Sequence, residues 1–370
     1  MKKRGFAALG LLLAAGALGV VLAGRGLGSV PAAGMKADMM DRFDMAVSNV
    51  VSDSLEGVLH IGKVYWLRDE DQVAPAPDPG CRGRAETSSE MGPVLDRAEE
   101  MLGLTDNVFT EKTEIVPGSG VRYYLDDTIF SVSWKEFVGG SVYSFAEVKI
   151  AHPSQFRRFL ADGKYGSFAR YTTTDMARSV QAVTASSGDF YSYRPMGYEV
   201  CNRVIYRDGS NVLDTCLVDG NGDLNFCRKD EIPDGAALAR YVEENDIRFT
   251  LAFGPILVED DQTVAPHVYE VGQPDENYSR AALCQQGPLH YLIVISNMEY
   301  ERYQNPTIPE FAEHLRDRGI HNAYALDGGQ TATLVTNGEM VNAVDYGNER
   351  LISDIIYFAT AVPETGGEKS

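Results

Sequence analysis

The chain has 370 residues, of which 44% are hydrophobic and 23% are charged, and its formal net charge is −20. This length and hydrophobic content suffice for one large core or two smaller ones. The excess of 53 acidic over 33 basic residues, without a compensating basic stretch, argues against nucleic acid as a partner. The same negative field repels phosphate-bearing ligands at long range, so any phosphate site needs a local cation.

The N-terminus has the pattern of a membrane anchor. Three basic residues precede an uncharged stretch over residues 5–24, which Arg25 ends. Twenty residues in a helix span about 30 Å, the thickness of a bilayer core, and basic residues ahead of them favour a cytoplasmic N-terminus. We therefore predict a signal-anchor over residues 1–25 and an extracytoplasmic location for the rest of the chain. Residues 29–34 could instead supply a cleavage site, which would release a secreted protein.

The segment after the anchor predicts a membrane-proximal region. Residues 36–62 carry apolar side chains at helical spacing, which is typical of an amphipathic helix. Residues 70–92 are rich in Asp, Pro, Gly and Ser, which favours a loop or linker. We therefore divide the remainder into a membrane-proximal region over 26–110, a catalytic domain over 111–361 and a disordered tail over 362–370.

Strands outnumber helices in the predicted catalytic domain. Runs of β-branched and aromatic residues predict strands at 113–116, 121–125, 128–135 and 142–150. Helical patterns occur at about 153–162, 174–182, 234–245 and 308–318. In the last of these, Thr307 and Glu310 form a capping-box pattern. The predicted fold class is α+β, with mixed or antiparallel β-sheets flanked by helices in a single catalytic domain behind the anchor.

The five cysteines fit no zinc-binding pattern. Asn221-Gly222 is a preferred two-residue hairpin turn, and counting outwards from it sets Cys216 opposite Cys227. An extracytoplasmic location would allow this pair to oxidise. However, the pairing falls at a hydrogen-bonded position, where the two side chains are further apart. A Cys216–Cys227 disulfide and a reduced pair therefore both remain open.

A glycine-rich turn follows the capped helix. Residues 322–326 predict a buried strand that ends at Asp327. Gly328 and Gly329 accept positive φ and allow the backbone to approach a ligand closely. Asn337 then begins a second Asn-Gly hairpin turn. Taken alone, the Asp-Gly-Gly turn fits a simple connection between strands.

Read together, five segments resemble the phosphodiester glycosidase family, whose members remove a sugar from a phosphodiester. The family signature of Asp-Gly-Gly, small hydroxyl residues, Asn-Gly and a final asparagine is matched by Asp327, Gly328, Gly329, Thr331, Thr333, Asn337, Gly338 and Asn342. The other matching segments are 187–191, 253–258, 279–281 and 350–357. The resemblance spans about 120–361 and implies an exported bacterial member of the family.

The resemblance implies hydrolysis of a sugar-1-phosphodiester. The leaving group is a phosphate monoester, so the main tasks are stabilising oxocarbenium-like charge and activating water, both of which suit carboxylates. Asp327 and Asp189 are the predicted catalytic residues, and Arg280 is the predicted phosphate-binding cation. The other predicted substrate-binding residues are Gly328, Gly329, Thr331, Tyr191 and Asn337.

One departure from the family pattern leaves alternatives open. Ser187 stands where the family has an asparagine, and Asp189 stands where it has a glycine. A catalytically silent glycan-binding or envelope-assembly protein therefore remains an alternative, as does a metal-dependent phosphodiesterase. The sequence demands no cofactor, although Asp327 and neighbouring carbonyls could hold a divalent cation. The expected partners are a phosphate-linked glycan and, through the N-terminal helix, the membrane.

Overall fold

The computed structural model describes residues 74–109, 115–189, 191–194, 196–209, 212–264, 274–297 and 305–361. The predicted signal-anchor (1–25), amphipathic helix (36–62) and tail (362–370) lie outside these residues. Within the described ranges, no helix is long and apolar enough to cross a membrane.

The predicted α+β fold class is confirmed. The α-helices in the described ranges are α1 (Gly92–Leu102), α2 (Thr173–Ser179), α3 (Gly235–Glu244) and α4 (Ile308–Asp317). Three of these, α2, α3 and α4, were predicted. Thr307 caps α4 and forms the predicted capping box with Glu310, which satisfies main-chain amides that the first helical turn leaves without partners.

An antiparallel sheet of nine strands organises the fold, in the order β1-β2-β3-β4-β15-β14-β16-β12-β13. Its strands are β1 (Arg82–Ala85), β2 (Val121–Leu125), β3 (Ile129–Val138), β4 (Ser141–Ile150), β12 (Ile256–Glu259), β13 (Gln262–Thr263), β14 (Arg280–Gly287), β15 (His290–Asn297) and β16 (Asn322–Leu326). The predicted strands at 121–125, 128–135, 142–150 and 322–326 correspond to β2, β3, β4 and β16.

A second antiparallel sheet has the order β18-β17-β6-β19-β5. Its strands are β5 (Phe156–Leu160), β6 (Thr184–Ser187), β17 (Leu334–Thr336), β18 (Glu339–Met340) and β19 (Asp354–Phe358). Smaller sheets are formed by β7 (Glu199–Cys201) with β8 (Val204–Arg207), and by β9 (Thr215–Val218), β10 (Leu224–Cys227) and β11 (Phe249–Leu251).

The nine-stranded sheet is buried on both faces, as the alternation along β15 shows. Leu292 and Val294 belong to an apolar cluster that includes residues of α1 and α4. Ile293 and Ile295 belong to a different cluster, which includes residues of β5, β17 and β19. Because successive side chains of a strand point to opposite faces, helices cover one face and the five-stranded sheet covers the other.

The folded unit begins earlier than the predicted boundary at residue 111. Strand β1 pairs with β2 at the edge of the large sheet, and Met91 and Ala98 are buried in the same cluster as the core of that sheet. Part of the segment 70–92, predicted to be a linker, therefore forms a strand and leads into α1. Burial of these apolar side chains explains why the segment packs on the large sheet despite its Pro- and Gly-rich composition.

The helix predicted at 153–162 is wrong. Only a short 3-10 turn forms at Pro153–Gln155, and β5 follows it, pairing with β19. The local signals for a helix were an early proline and a closing glycine. Pairing with a strand far away in the sequence overrides them, as tertiary context commonly does for short segments.

The predicted pairing of Cys216 with Cys227 is also wrong. Cys216 lies opposite Phe226, and Cys227 lies opposite Thr215. None of the five cysteines forms a disulfide. The turn has three residues between Asp219 and Asp223 rather than two, which shifts the register by one residue and sends the two thiols to opposite faces of the hairpin.

Candidate active site

Two glycine-containing turns meet at one end of the sheets. The first, residues 187–189, follows β6, and the second begins at Asp327 after β16. The main-chain amide of Asp327 donates to the carbonyl oxygen of Gly188 at 3.4 Å. The two segments that the sequence singled out as sources of a catalytic carboxylate are therefore joined directly.

Asp327 is the carboxylate with unused bonding capacity at this junction. The residue is 8% exposed, and its Oδ2 atom has no hydrogen-bond partner among the described residues. Burial raises the pKa of Asp327 to about 7, and the Thr331 hydroxyl and the charges of Arg350 and Arg194 offset part of that rise. This oxygen is therefore open to a hydrogen bond from a ligand.

The two arginines near Asp327 are held by aromatic side chains. The Arg194 guanidinium lies 4.7 Å from the centroid of the Phe253 ring and donates to the Phe253 carbonyl at 3.1 Å. The Arg350 guanidinium lies 5.1 Å from the centroid of the Tyr193 ring. The charges of both arginines lower the pKa of Asp327, so both guanidinium groups lie within electrostatic range of its carboxylate.

The Asp-Gly-Gly turn packs closely against the start of β14. A Cβ atom at Gly328 would lie 2.4 Å from the Ser279 carbonyl oxygen, so only glycine fits there. Gly329, with φ of 58°, donates its amide to the same carbonyl at 2.8 Å. Asp327, Gly328, Gly329 and Thr331 thus lie in one tight turn against the start of β14, and their roles in catalysis and substrate binding remain predictions.

Arg280 is next to this turn but is engaged with the backbone. The register that pairs Ala281 with Leu326 makes Arg280 the strand neighbour of Asp327. Its guanidinium donates to the carbonyl oxygens of Pro306 and Glu276. Burial lowers the pKa of Arg280 to about 10. Its contacts with these carbonyl oxygens are those of a residue that supports a loop, and its predicted role as the phosphate-binding cation remains a prediction.

Asp189, the residue after Gly188, lies in a buried ion-pair network. Its Oδ1 atom accepts from Arg158 Nη2 at 2.7 Å and from the Tyr191 amide at 3.0 Å, and its Oδ2 atom accepts from the Ala252 amide at 2.7 Å. The residue is 0% exposed. Because both oxygens are occupied by protein donors, Asp189 does not present a carboxylate to a ligand in this structure.

Arg158 is the centre of this network. Its guanidinium contacts Asp189, lies 2.9 Å from Asp354 Oδ2 and lies 2.6 Å from Glu199 Oε1. Burial raises the pKa of Glu199 well above its usual range and that of Asp354 to about 6, against the opposing charge of Arg158. Arg207 Nη2, at 3.5 Å from Glu199, adds a second cation.

Comparison with known protein families gives a match that covers this site. Residues 180–359 match the profile of the phosphodiester glycosidase family. This region belongs to that family. It contains both turns, Arg194, Arg350 and three of the four residues in the Arg158 network.

One solved structure supports the likeness at the level of the fold. The catalytic domain of zebrafish N-acetylglucosamine-1-phosphodiester alpha-N-acetylglucosaminidase, auto-inhibited by its pro-peptide, aligns with a TM-score of 0.52 at 16% identity, over 64% of this chain and 84% of that one. A hypothetical protein from Synechocystis gives a TM-score of 0.49 at 14% identity, over 63% and 62% of the two chains.

The curated relative is an uncharacterized SPbeta prophage-derived protein of Bacillus subtilis, YomE. It is 22% identical over 198 residues, which are 52% of this chain. The match spans only 30% of the length of that relative.

Two other predicted substrate-binding residues, Tyr191 and Asn337, contact residues outside the Asp327 turn. Tyr191 is buried, with its ring stacked on Tyr165 at 5.3 Å and beneath the Arg158 guanidinium at 5.5 Å. Burial raises the pKa of Tyr191 to about 12. Asn337 occupies the β17–β18 turn, where its amide nitrogen donates to the Tyr123 carbonyl at 3.3 Å.

The position of Asn337 follows from the strand register. Its main-chain amide donates to the Val183 carbonyl, ahead of β6, whereas Gly188 follows the end of β6. Five residues at about 3.3 Å each place these ends about 16 Å apart. The structure therefore does not bring Asn337 to the Asp327 turn.

Sequence reasoning missed Arg158, Glu199, Asp354, Arg194 and Arg350 as site residues. Arg158 was missed because the segment 153–162 was predicted to be a helix, and no local motif marks Glu199. A usable signal was the charged Asp354 within the otherwise apolar strand β19, since such a residue needs a buried partner. Among the described residues, no group of three or more His, Cys, Asp or Glu side chains could hold a metal ion.

Proposed function

We propose that the domain hydrolyses the sugar–phosphate bond of a sugar-1-phosphodiester in an exported glycan or cell-envelope polymer. The observation that carries this proposal is the unpartnered Oδ2 atom of Asp327, buried beside two arginines in a phosphodiester glycosidase domain. A carboxylate and adjacent cations are the groups that cleavage of a glycosyl phosphate requires.

Asp327 is the proposed general base. In its ionised form it stabilises positive charge developing on the anomeric carbon and accepts a proton from the attacking water. The new bond joins the water oxygen to the anomeric carbon. The bond between that carbon and the phosphate oxygen breaks, and its electron pair leaves with the phosphate monoester. A phosphate monoester is acidic enough to leave without a dedicated proton donor.

Arg350 and Arg194 are the proposed phosphate-binding cations. The formal charge of −20 disfavours an anionic substrate, so a local positive field must offset it. Both arginines lie close enough to Asp327 to lower its pKa against the rise that burial causes. Arg280, whose guanidinium donates to the carbonyl oxygens of Pro306 and Glu276, is proposed to hold the loop around the site.

Asp189, predicted as the second catalytic carboxylate, is proposed instead as a positioning residue. It anchors the 187–189 turn to Arg158, and that turn accepts the hydrogen bond from the Asp327 amide. The Arg158 network thereby fixes the position of the catalytic carboxylate, and the activity would be sensitive to it without contact with substrate.

The test is turnover of a panel of sugar-1-phosphodiesters by the full-length protein. Asp327→Asn keeps the size of the side chain but removes the base, and we expect turnover to fall at least about 100-fold. Arg350→Gln is expected mainly to raise KM. Arg316→Gln is the control, because Arg316 is paired on the surface with Asp317.

Two outcomes would contradict the proposal. Turnover that survives Asp327→Asn would remove Asp327 as the base. Glycan binding by the folded protein without turnover of any substrate in the panel would favour the silent binding protein.

A further inference from the structure

A surface cavity lies apart from the Asp327 turn, where β1 and β2 meet the β17–β18 turn. It has a volume of about 230 Å³. Its lining residues are Arg82, Gly83, Arg84, Arg122, Asn337 and Glu339, and we refer to it as the arginine cavity. Three guanidinium groups against one carboxylate leave an excess of two positive charges. This excess is notable in a chain whose formal charge is −20.

The strand register forces two of these cations together. Arg84 on β1 lies directly opposite Arg122 on β2. Like charges at directly opposed positions of an antiparallel pair are destabilising. One oxygen, Glu339 Oε2, bridges them at 3.1 Å from Arg84 Nη2 and 3.6 Å from Arg122 Nη2. A single carboxylate cannot neutralise both arginines, so an anion in the cavity would relieve the remaining repulsion.

The floor of the cavity is held in place by the protein. Arg122 Nη1 donates to the Met340 carbonyl at 3.2 Å, and its side chain is 28% exposed. On the opposite face of these strands, the Tyr123 side chain packs over Gly83, where a Cβ atom would lie 2.0 Å from it. Asn337 is fixed by its bond to the Tyr123 carbonyl. Arg122 and Asn337 are thus held in place by the protein, whereas the Arg84 and Glu339 side chains are 68% and 56% exposed.

We infer that the arginine cavity binds a phosphodiester group of an anionic glycan polymer, separate from the group that is hydrolysed. The choice of a polymer rests on the proposed function, because a repeating phosphate-linked glycan offers further phosphates beyond the one at Asp327. Arginine side chains bind phosphate through paired, charge-assisted hydrogen bonds. Occupation of two sites by one polymer would raise its apparent affinity without new contacts at the active site.

Binding is measured on the full-length Asp327→Asn variant, so that hydrolysis does not consume the ligand. The probes are a poly(glycerol phosphate) oligomer, inorganic phosphate and vesicles containing phosphatidylglycerol. The test variant adds Arg84→Gln and Arg122→Gln. The matched control adds Arg203→Gln and Arg316→Gln, which remove the same charge from surface ion pairs with Asp246 and Asp317.

We expect the oligomer to bind about tenfold more weakly to the cavity variant, and the control variant to bind it nearly as tightly as the parent. Binding of the oligomer should also weaken with added salt. Equal losses in the two double variants would overturn the proposal, because they would reveal a general charge effect. Binding of vesicles alone, or of inorganic phosphate as tightly as the oligomer, would overturn the assignment to a polymer.

This result is independent of turnover. Binding lost in the cavity variant, together with no hydrolysis by the wild type, would contradict the proposed function while supporting the anion site. Hydrolysis by the wild type, with binding unchanged in the cavity variant, would support the proposed function and contradict the anion site.

Discussion

The main-chain amide of Asp327 donates a hydrogen bond of 3.4 Å to the carbonyl oxygen of Gly188. Gly188 is also in close contact with Asp354, and the next residue, Asp189, is paired with Arg158. This one bond therefore connects the proposed catalytic carboxylate to the buried ion-pair network. A disturbance of the network should reach Asp327 through the backbone of the 187–189 turn.

Gly188→Ala should destabilise the protein and lower its activity. The added Cβ atom would lie 1.9 Å from Asp354 Oδ2, and that carboxylate is held by Arg158. Such overpacking costs about 1–3 kcal/mol. The free energy of unfolding, measured in urea, should fall by this amount. Gly92→Ala is the control, since nothing lies within 4 Å of its Cβ position. Equal stability of the two variants would contradict the packing argument.

Arg158→Met should be among the most destabilising substitutions in the domain. It leaves three buried carboxyl groups, Asp189, Glu199 and Asp354, without their shared cation. Removal of one partner from a buried pair costs about 3–5 kcal/mol. Arg158 lowers the pKa of Glu199 and of Asp354, so without it both pKa values rise further in the folded state. The variant should therefore lose further stability as the pH rises above about 4.

The control for this substitution is Arg203→Met. Arg203 pairs with Asp246 at the surface, where such a pair contributes less than about 1 kcal/mol. Both variants are compared with the wild type by urea unfolding at pH 5 and pH 8. A small effect of Arg158→Met at both pH values would show that the network does not hold the fold together.

The pH dependence of catalysis should report Asp327. Burial raises its pKa to about 7. If the ionised form is the base, kcat/KM should rise with pH and level off above about 7. Removal of a nearby positive charge by Arg350→Gln should move the midpoint to higher pH. A rate that instead falls over the same range would assign Asp327 the role of a proton donor.

Asp327→Asn should stabilise the fold at alkaline pH even though it removes activity. The pKa of Asp327 is raised above its unfolded value, so the wild type loses stability as the pH rises from about 4 through about 7. The amide carries no such cost. A rise of the pKa from 3.8 to about 7 corresponds to on the order of 4 kcal/mol. The variant should therefore be more stable than the wild type by about this amount at pH 8, with little difference at pH 4. Parallel stability curves for the two proteins would contradict the assigned pKa.

The cysteines should titrate as five thiols in denaturant, without prior reduction. Cys216 and Cys227 lie on opposite faces of their hairpin and cannot bridge without a change of register. Burial raises the pKa of Cys201 to about 12, and it raises the pKa of Cys216 and Cys284 further, which keeps these thiols unreactive in the folded state. A count of three thiols would indicate a disulfide and contradict the register.

Local patterns predicted much of the fold. The strands β2, β3, β4 and β16 were visible as β-branched and aromatic runs, and α4 was visible from its capping box. The strand β5 was not, because its proline and glycine flanks imitate a helix and its pairing with β19 is decided far away in the sequence. The register of the hairpin at Asp219 was predicted wrongly for a local reason. Asp219 Oδ1 accepts hydrogen bonds from the amides of Asn221 and Asp223, which favours the longer turn.

The sequence pointed to the main-chain segments of the candidate site but not to its side-chain contacts. The resemblance to a known family pointed to the Asp327 and Asp189 segments, and the structure joins them. It could not show that both oxygens of Asp189 are occupied, or that Arg280 donates to two backbone carbonyls. Those facts depend on Arg158 and on the loop before α4, whose side-chain contacts no linear motif specifies.

Asp327 is proposed to direct water to the anomeric carbon, and hydrolysis in ¹⁸O-labelled water tests this role most directly. The wild type and Asp327→Asn are given the same sugar-1-phosphodiester, and the position of the label is read by mass spectrometry. We expect the label in the sugar for the wild type and no turnover above background for the variant. Label in the phosphate, or an undiminished rate in Asp327→Asn, would contradict the account.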